Sequence, residues 1–339
     1  MAIPRYRLVN PSAPGFYHVI SRCVRRAWLC GSDEVSGRSF EHRREWIRSR
    51  LLWLSRVFAV DVYAYAVMSN HYHIVLYRDP ARVATWSAED IAKRWLWLCP
   101  PKVLKEAADL ESHPEFDKCV QEIVGNAERL ACVRARLSDL SWFMRFLNEG
   151  IARRANAEDG VTGRFWEGRY RSQVLLDEGA VLACMAYVDL NPMRAGIADC
   201  LEDSDYTSVQ ERLEDARPLG SVDSQEPVRP LSGSVYQAES GVTRLSVSVE
   251  QYIGLVEWAA GVTRAKLRSR MGSPKDLLVP LERLGLRPRA WPLSVVEFGR
   301  RFRLVVGSSG ALMSMAQKWG QGRLQGLSGA RFMYLSENS

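Results

Sequence analysis

Residues 60–77 read VDVYAYAVMSNHYHIVLY. Two runs rich in β-branched and aromatic residues, Val60 to Met68 and Tyr72 to Tyr77, flank the polar pair Ser69-Asn70, which is the composition of two strands joined by a tight turn. Side chains alternate across a strand, so His71 and His73 share one face while Tyr72 points to the other. Two imidazoles on one face suit a single divalent ion, which then needs an oxygen ligand and open positions for substrate. A pair of half-buried histidines hydrogen-bonded for structure is the alternative reading of the same spacing.

Working outward from this hairpin, Gly15 to Val24 (GFYHVISRCV) has strand composition. Between Arg38 and Phe58, the apolar residues Phe40, Trp46, Ile47, Leu51, Leu54 and Phe58 recur at helical spacing among arginines, which predicts an amphipathic helix with a basic outer face. Downstream, Ser87 to Leu98 reads as a helix with Ser87 as cap, and more helix is expected between about Glu115 and Ala155. Arg164 to Leu176 reads as a strand with a basic, aromatic entry, and Asp177 to Leu190 as a helix that ends near Pro192. The order β-α-β-β-α-β-α predicts an α+β fold, a ferredoxin-like antiparallel sheet with helices packed on one side.

From about 215 to 241 the composition shifts to Pro, Ser, Gly, Glu and Asp, with Pro218, Pro227 and Pro230 close together, as in a linker. Beyond it the spacing predicts helices over Ser248 to Ala260, Pro274 to Leu284 with Ser273 as cap, and Pro292 to Val306. The expected organisation is thus a domain over 1–214, a linker over 215–241 and a small, basic, α-helical C-terminal domain over 242–339 that folds separately.

With 339 residues, 47% of them hydrophobic and 25% charged, the chain is globular rather than disordered. No apolar run approaches the roughly 18 residues of a membrane span, and the start lacks a secretory stretch, so a cytoplasmic location without membrane contact is expected. The seven cysteines are scattered and form no close CxxC pair, which indicates neither a disulfide framework nor a zinc knuckle. Net charge is +7 over residues 1–60, −9 over 61–240 and +9 over 241–339. Basic ends around an acidic middle suit a polyanion, because each Lys or Arg set near a phosphate releases a condensed counterion.

On the helix after Asp177, Tyr187 and Asn191 stand four residues apart and share a face at about 6 Å rise. The Asn191 amide would reach an ion held by the histidines while the Tyr187 hydroxyl meets a phosphate there. Asn191 also precedes Pro192, which fits a plain C-terminal turn residue equally well.

Together these segments resemble a known family. His71-Tyr72-His73 is similar to the histidine-hydrophobic-histidine signature of HUH endonucleases. Tyr187-Val188-Asp189-Leu190-Asn191-Pro192-Met193-Arg194-Ala195-Gly196 looks like the Tyr-x-x-x-Asn-Pro-x-Arg-Ala-Gly segment of REP-associated tyrosine transposases, and YHVISRCVRR, YAVMSNHYHIVL and GRFWEGRYRSQ are also similar to that family's segments. The resemblance runs from about Pro14 to Thr207. It implies a ferredoxin-like α+β domain in which His71, His73 and Asn191 hold Mg²⁺ or Mn²⁺ and Tyr187 is the nucleophile. The implied activity is that of a transposase, cleaving and rejoining single-stranded or hairpin DNA through a 5′-phosphotyrosine link, and a homodimer is suggested. The family's simplest members end soon after the tyrosine helix, whereas more than a hundred residues follow it here.

Candidate DNA contacts are Arg22, Arg25 and Arg26, then Arg43, Arg44 and Arg48, and the run Arg164, Arg169 and Arg171 beside Phe165, Trp166 and Tyr170. Each of those aromatics is individually more apt to be core. Two other functions fit the same sequence: a non-catalytic DNA- or RNA-binding regulator built on this domain, and a metal-dependent phosphoesterase in which water replaces tyrosine.

Overall fold

Strand β1 (Gly15–Arg22) leads into helix α1 (His42–Val57), and β2 (Val60–Val67) turns at Ser69-Asn70 into β3 (His71–Arg78). The Met68 N–H closes that turn on the His71 carbonyl at 2.8 Å. Four helices follow, α2 (Ala88–Leu98), α3 (Phe116–Val124), α4 (Ala127–Leu137) and α5 (Leu140–Glu158), before β4 (Arg171–Leu175) and α6 (Glu178–Asp189). Ser87 caps α2 in a reciprocal box with Asp90, and Asp177 caps α6 through the Ala180 N–H. This computed structural model describes residues 8–24, 29–33, 37–216, 228–231, 243–263, 275–322 and 324–335.

The sheet order is β2-β3-β1-β4-β5, and each neighbouring pair among its first four strands is antiparallel. With α1 joining β1 to β2 and α5 preceding β4, this is the ferredoxin-like α+β arrangement. Tyr72 and Ser21 both meet Asn148 of α5, by the Tyr72 hydroxyl donating to its Oδ1 and its Nδ2 donating to Ser21 Oγ at 3.1 Å. Strand parity then turns His71, His73 and Ile20 to the opposite face, which α6 covers. Helices therefore pack on both faces of the sheet rather than on one. The physical reason lies in β2, whose eight residues are all buried and which has no polar side to offer water. Its one charge, Asp61, is matched by a bidentate Arg82 at 2.7 and 2.5 Å.

After α6 come the short turn α7 (Asn191–Arg194) and α8 (Ser208–Ala216), then α9 (Val249–Thr263), α10 (Lys275–Arg283), α11 (Trp291–Val296) and α12 (Phe298–Arg301). Strand β5 (Val305–Val306) and helices α13 (Ser309–Lys318) and α14 (Leu327–Met333) complete the chain. The single helix expected over Pro292 to Val306 is replaced by α11, α12 and β5, because the β-branched pair Val305-Val306 extends the open edge of β4 in parallel.

Nor do the described C-terminal elements stand apart as a separate fold. Tyr252 of α9 donates to Asp189 of α6, the Trp291 indole donates to the Leu255 carbonyl at 2.9 Å, and Asp177 accepts from the Ser308 N–H at 2.7 Å and from Tyr334. At Gly179 a Cβ would sit 3.1 Å from Leu286 and 3.2 Å from Tyr334, so α6 and the tail approach as closely as a glycine permits. One hydrophobic core includes Val62, Met185, Tyr252, Trp291 and Val305. Of the expected linker, 217–227 and 232–241 lie outside the described residues, as do Ser273 and Pro274, while the Leu231 N–H bonds the Val62 carbonyl at 2.9 Å on the outer edge of β2. Among the described residues no helix is long and apolar enough to cross a membrane.

Candidate functional site

The sheet face under α6 gathers three of the chain's five histidines. His71 and His73 of β3 lie with ring centroids 4.9 Å apart, and His18 of β1 stacks on His73 at 5.1 Å. In the last turn of α6, Tyr187 sets its ring edge-on to His73 at 5.6 Å and to His18 at 6.0 Å. His18 and His73 are buried, while His71 and Tyr187 are half-buried. The hairpin parity thus places the two expected histidines together, and the helix brings the expected tyrosine over them.

Tyr187 is held from three sides. Phe298 stacks on its ring at 5.3 Å, the Arg194 guanidinium lies 4.8 Å from its centroid, and Gly299 passes so close that a Cβ there would be 3.0 Å from the hydroxyl. The turn that orients Tyr187 follows from Asn191-Pro192. Proline has no N–H to give the Val188 carbonyl one turn back, so the ladder of α6 is interrupted, and the Asn191 Nδ2 donates to the Tyr187 carbonyl at 3.1 Å and to the Val188 carbonyl at 3.4 Å. The Asn191 Oδ1 takes the Arg194 Nη1 at 3.4 Å. Asn191, expected either as a metal ligand or as a turn residue, is buried with its Nδ2 on the last carbonyls of α6, and it is not among the residues that line the cavity onto which His71 and His73 open.

Hydrogen bonds assign the imidazole tautomers. Gln173 Nε2 donates to the Phe302 carbonyl at 3.0 Å, which leaves its Oε1 to accept from His18 Nδ1 at 2.6 Å. His18 Nε2 then accepts from His73 Nδ1 at 2.9 Å, and the remaining His73 nitrogen, Nε2, carries a lone pair. His71 Nδ1 donates to Asn70 Oδ1 at 2.6 Å, so its Nε2 is likewise bare. Burial holds the His18 imidazole down at about 4, opposed by its bond to Gln173, and burial with the charge of Arg22 holds His71 at about 4. His73 is pushed well below the usual range by burial first and by its two histidine neighbours next. Near neutral pH all three are uncharged.

Neutral imidazoles with one nitrogen anchored and the other bare are the form in which histidine binds a divalent ion. Two such donors, His71 and His73, open on a cavity of ≈ 490 Å³ that Tyr187, Glu167, Arg22, Arg169 and Arg171 also line. The donor set fits a divalent cation through two imidazoles, the other positions falling to oxygens of substrate or water. Among the described residues no group of three or more His, Cys, Asp or Glu side chains is arranged to hold a metal ion.

The arginines divide. Arg22, Arg169 and Arg171 are exposed at the mouth of this cavity, and Arg164 is exposed near it in sequence. Arg25 and Arg26 lie outside the described residues. Arg43 and Arg44 do not belong to a basic outer face: Arg43 is 0% exposed, bonded to Glu158 at 2.7 Å and to Asp159, and lies 4.3 Å over the Phe40 ring. Arg44 is buried against Glu41 at 2.5 Å and the Val67 carbonyl. Both guanidiniums are buried in pairs with acids or a carbonyl of this chain, so neither is presented at the surface where a phosphate would meet it. Arg48 pairs with Glu211 at 2.5 Å. Phe165, Trp166 and Tyr170 are core, the Trp166 indole donating to the Asn148 carbonyl at 2.9 Å.

Sequence reasoning did not single out His18, Gln173, Phe298 or Gly299. A third histidine at same-face parity in a second strand was a usable signal for His18, whereas Gln173 and the tail residues reach the site only through tertiary pairing.

The sequence matches no family model and no curated protein. Among solved structures, the chain is similar to one described as the structure of the REP associates tyrosine transposase bound to a REP hairpin, at 13% identity, covering 70% of this chain and 99% of that one with a TM-score of 0.36.

Proposed function

We propose that this chain is a metal-dependent DNA strand transferase that cleaves and rejoins single-stranded, hairpin-marked DNA through a tyrosine. The observation that carries the reading is the convergence of Tyr187 with the uncharged His71 and His73 on one arginine-mouthed cavity. The sequence resemblance to REP-associated tyrosine transposases supports it.

Arg22, Arg169 and Arg171 would receive the DNA backbone by charge and guide the scissile phosphate between Tyr187 and the histidines. His71 and His73 would hold Mg²⁺ or Mn²⁺, which supplies charge neutralisation at a non-bridging phosphate oxygen. Tyr187 Oη attacks phosphorus, its proton leaves to solvent, the bond to the 3′ oxygen breaks, and that oxygen takes up a proton as a free 3′-hydroxyl. A 5′-phosphotyrosine link remains. One phosphoester bond forms for each one broken, so a 3′-hydroxyl on a second DNA end can reverse the step without ATP. Phe298, Gly299 and Arg194 restrict the Tyr187 ring, so less rotational freedom is lost on reaching the attack geometry.

The test incubates the full chain and Mn²⁺ with a hairpin-bearing single-stranded oligonucleotide and examines a denaturing protein gel. The proposal expects a covalent protein–DNA adduct. A band shift in a native gel with no adduct would identify a non-catalytic regulator, and free cleaved product with no adduct a phosphoesterase.

A further inference from the structure

We infer that the Phe302 carbonyl, Gln173 and His18 act as a positioning relay that fixes the proton of His73 on Nδ1 and keeps its Nε2 bare toward the cavity. The inference rests on the reading of His73 as a metal ligand and adds three groups to it that touch no substrate.

Register explains how the relay assembles. His18 of β1 and Gln173 of β4 are direct antiparallel partners, so their side chains stand side by side on the face that also carries His73. Their order of contact is linear: Phe302 O to Gln173 Nε2 at 3.0 Å, Gln173 Oε1 to His18 Nδ1 at 2.6 Å, and His18 Nε2 to His73 Nδ1 at 2.9 Å. A backbone carbonyl can only accept. It therefore orients the Gln173 amide, whose oxygen demands a proton on His18 Nδ1. A neutral imidazole has one N–H, so His18 Nε2 is an acceptor and His73 Nδ1 must donate. His18, His73 and Gln173 are all more than nine-tenths buried, so bulk water does not compete for these bonds. Reversing the chain would set two acceptors against each other at Phe302. A fixed tautomer is what distinguishes an imidazole ready to bind a cation from one that carries its proton where the cation would sit. Phe302 lies between α12 and β5, so the relay also gives the C-terminal segment a place in the site.

The direct test is the long-range ¹H–¹⁵N spectrum of the histidine rings in the full-length, metal-free protein, with Mn²⁺ affinity measured beside it. Wild type should show His73 protonated on Nδ1 with a bare Nε2. Gln173→Leu should convert His73 to a mixture of tautomers and weaken Mn²⁺ binding by roughly tenfold or more. Gln173→Glu retains an acceptor for His18 Nδ1 and, as the protonated acid, a donor for Phe302, and should restore both properties. A merely structural glutamine would alter the melting temperature and leave the tautomer alone. His73 protonated on Nε2 in wild type would overturn the relay, and this spectrum decides even if Gln173→Leu fails to fold. An unchanged tautomer and Mn²⁺ affinity in a folded Gln173→Leu protein would overturn it too. The expected tautomer in a wild-type protein that binds no Mn²⁺ would support the relay while removing the metal reading of the site.

Discussion

Asp189, two residues after Tyr187, carries a buried carboxylate whose replacement by asparagine has a sign that depends on pH. Its Oδ1 accepts from Ser208 Oγ and from the Val209 N–H at 3.1 Å, and its Oδ2 accepts from the Tyr252 hydroxyl. Burial pushes the carboxyl up to about 6, against the pull of Arg212 and these hydrogen bonds. A carboxyl raised above its unfolded value of 3.8 contributes stability that is present below that value and lost as pH climbs through 6. The loss amounts to about 3 kcal/mol by pH 8. An asparagine side chain would be isosteric with the protonated acid, keep the Oδ1 bonds and carry no charge, but leave the Tyr252 proton without its acceptor at a cost of about 1 kcal/mol. Asp189→Asn is therefore expected to be more stable than wild type by about 2 kcal/mol at pH 8 and nearly equal to it at pH 4.5, where most of the wild-type carboxyl is protonated in the native state. Urea unfolding of both proteins at the two pH values measures this. A variant destabilised equally at both would refute the assignment of a costly buried carboxylate.

Other consequences are more local. His71→Ala and His73→Ala should each lose adduct formation at low Mn²⁺ and recover part of it at raised Mn²⁺, whereas Asn191→Ala, which removes a helix cap, should leave the metal dependence unchanged; a Mn²⁺ titration of initial rates reads all three. Gly299→Ala sets a methyl 3.0 Å from the Tyr187 hydroxyl and should slow adduct formation on the order of tenfold with little change in melting temperature; an unaltered rate would mean that the tail does not restrain the tyrosine. Truncation after Val235 strips β5, Tyr252 and Trp291 from the shared core and should give an insoluble or strongly destabilised protein. A soluble truncation with a cooperative melt would show that the first part folds alone.

Local periodicity carried most of the fold. The hairpin around Ser69-Asn70, the cap at Ser87, the helix beginning about Asp177, and the same-face parity of His71 and His73 all depend on neighbours in sequence, which is why they could be read. The inward turn of Arg43 was legible as well: it stands four residues before Ile47 and eight before Leu51, on the face that the core claims. Composition alone suggested a phosphate contact instead. For Asn191 the spacing to Tyr187 was compatible with two roles; its Nδ2 bonds to the Tyr187 and Val188 carbonyls are those of a turn residue, and the Mn²⁺ titration of Asn191→Ala separates the two. The tail was misjudged because a polar linker predicts a boundary but says nothing about what lies beyond it. Burial of Tyr252 on Asp189 and the pairing of Val305 with Val174 are long-range events that no local pattern announces.

The central claim is that Tyr187 attacks DNA, and its most direct measurement is the position of the phosphotyrosine. Protein incubated with Mn²⁺ and the hairpin oligonucleotide would be digested with nuclease and protease and the modified peptide sequenced by mass spectrometry. The nucleotide remnant is expected on Tyr187, and Tyr187→Phe should yield no adduct while binding the hairpin within a few-fold of wild type. A remnant on Tyr63, Tyr65, Tyr170 or Tyr206, or a normal adduct yield from Tyr187→Phe, would contradict it.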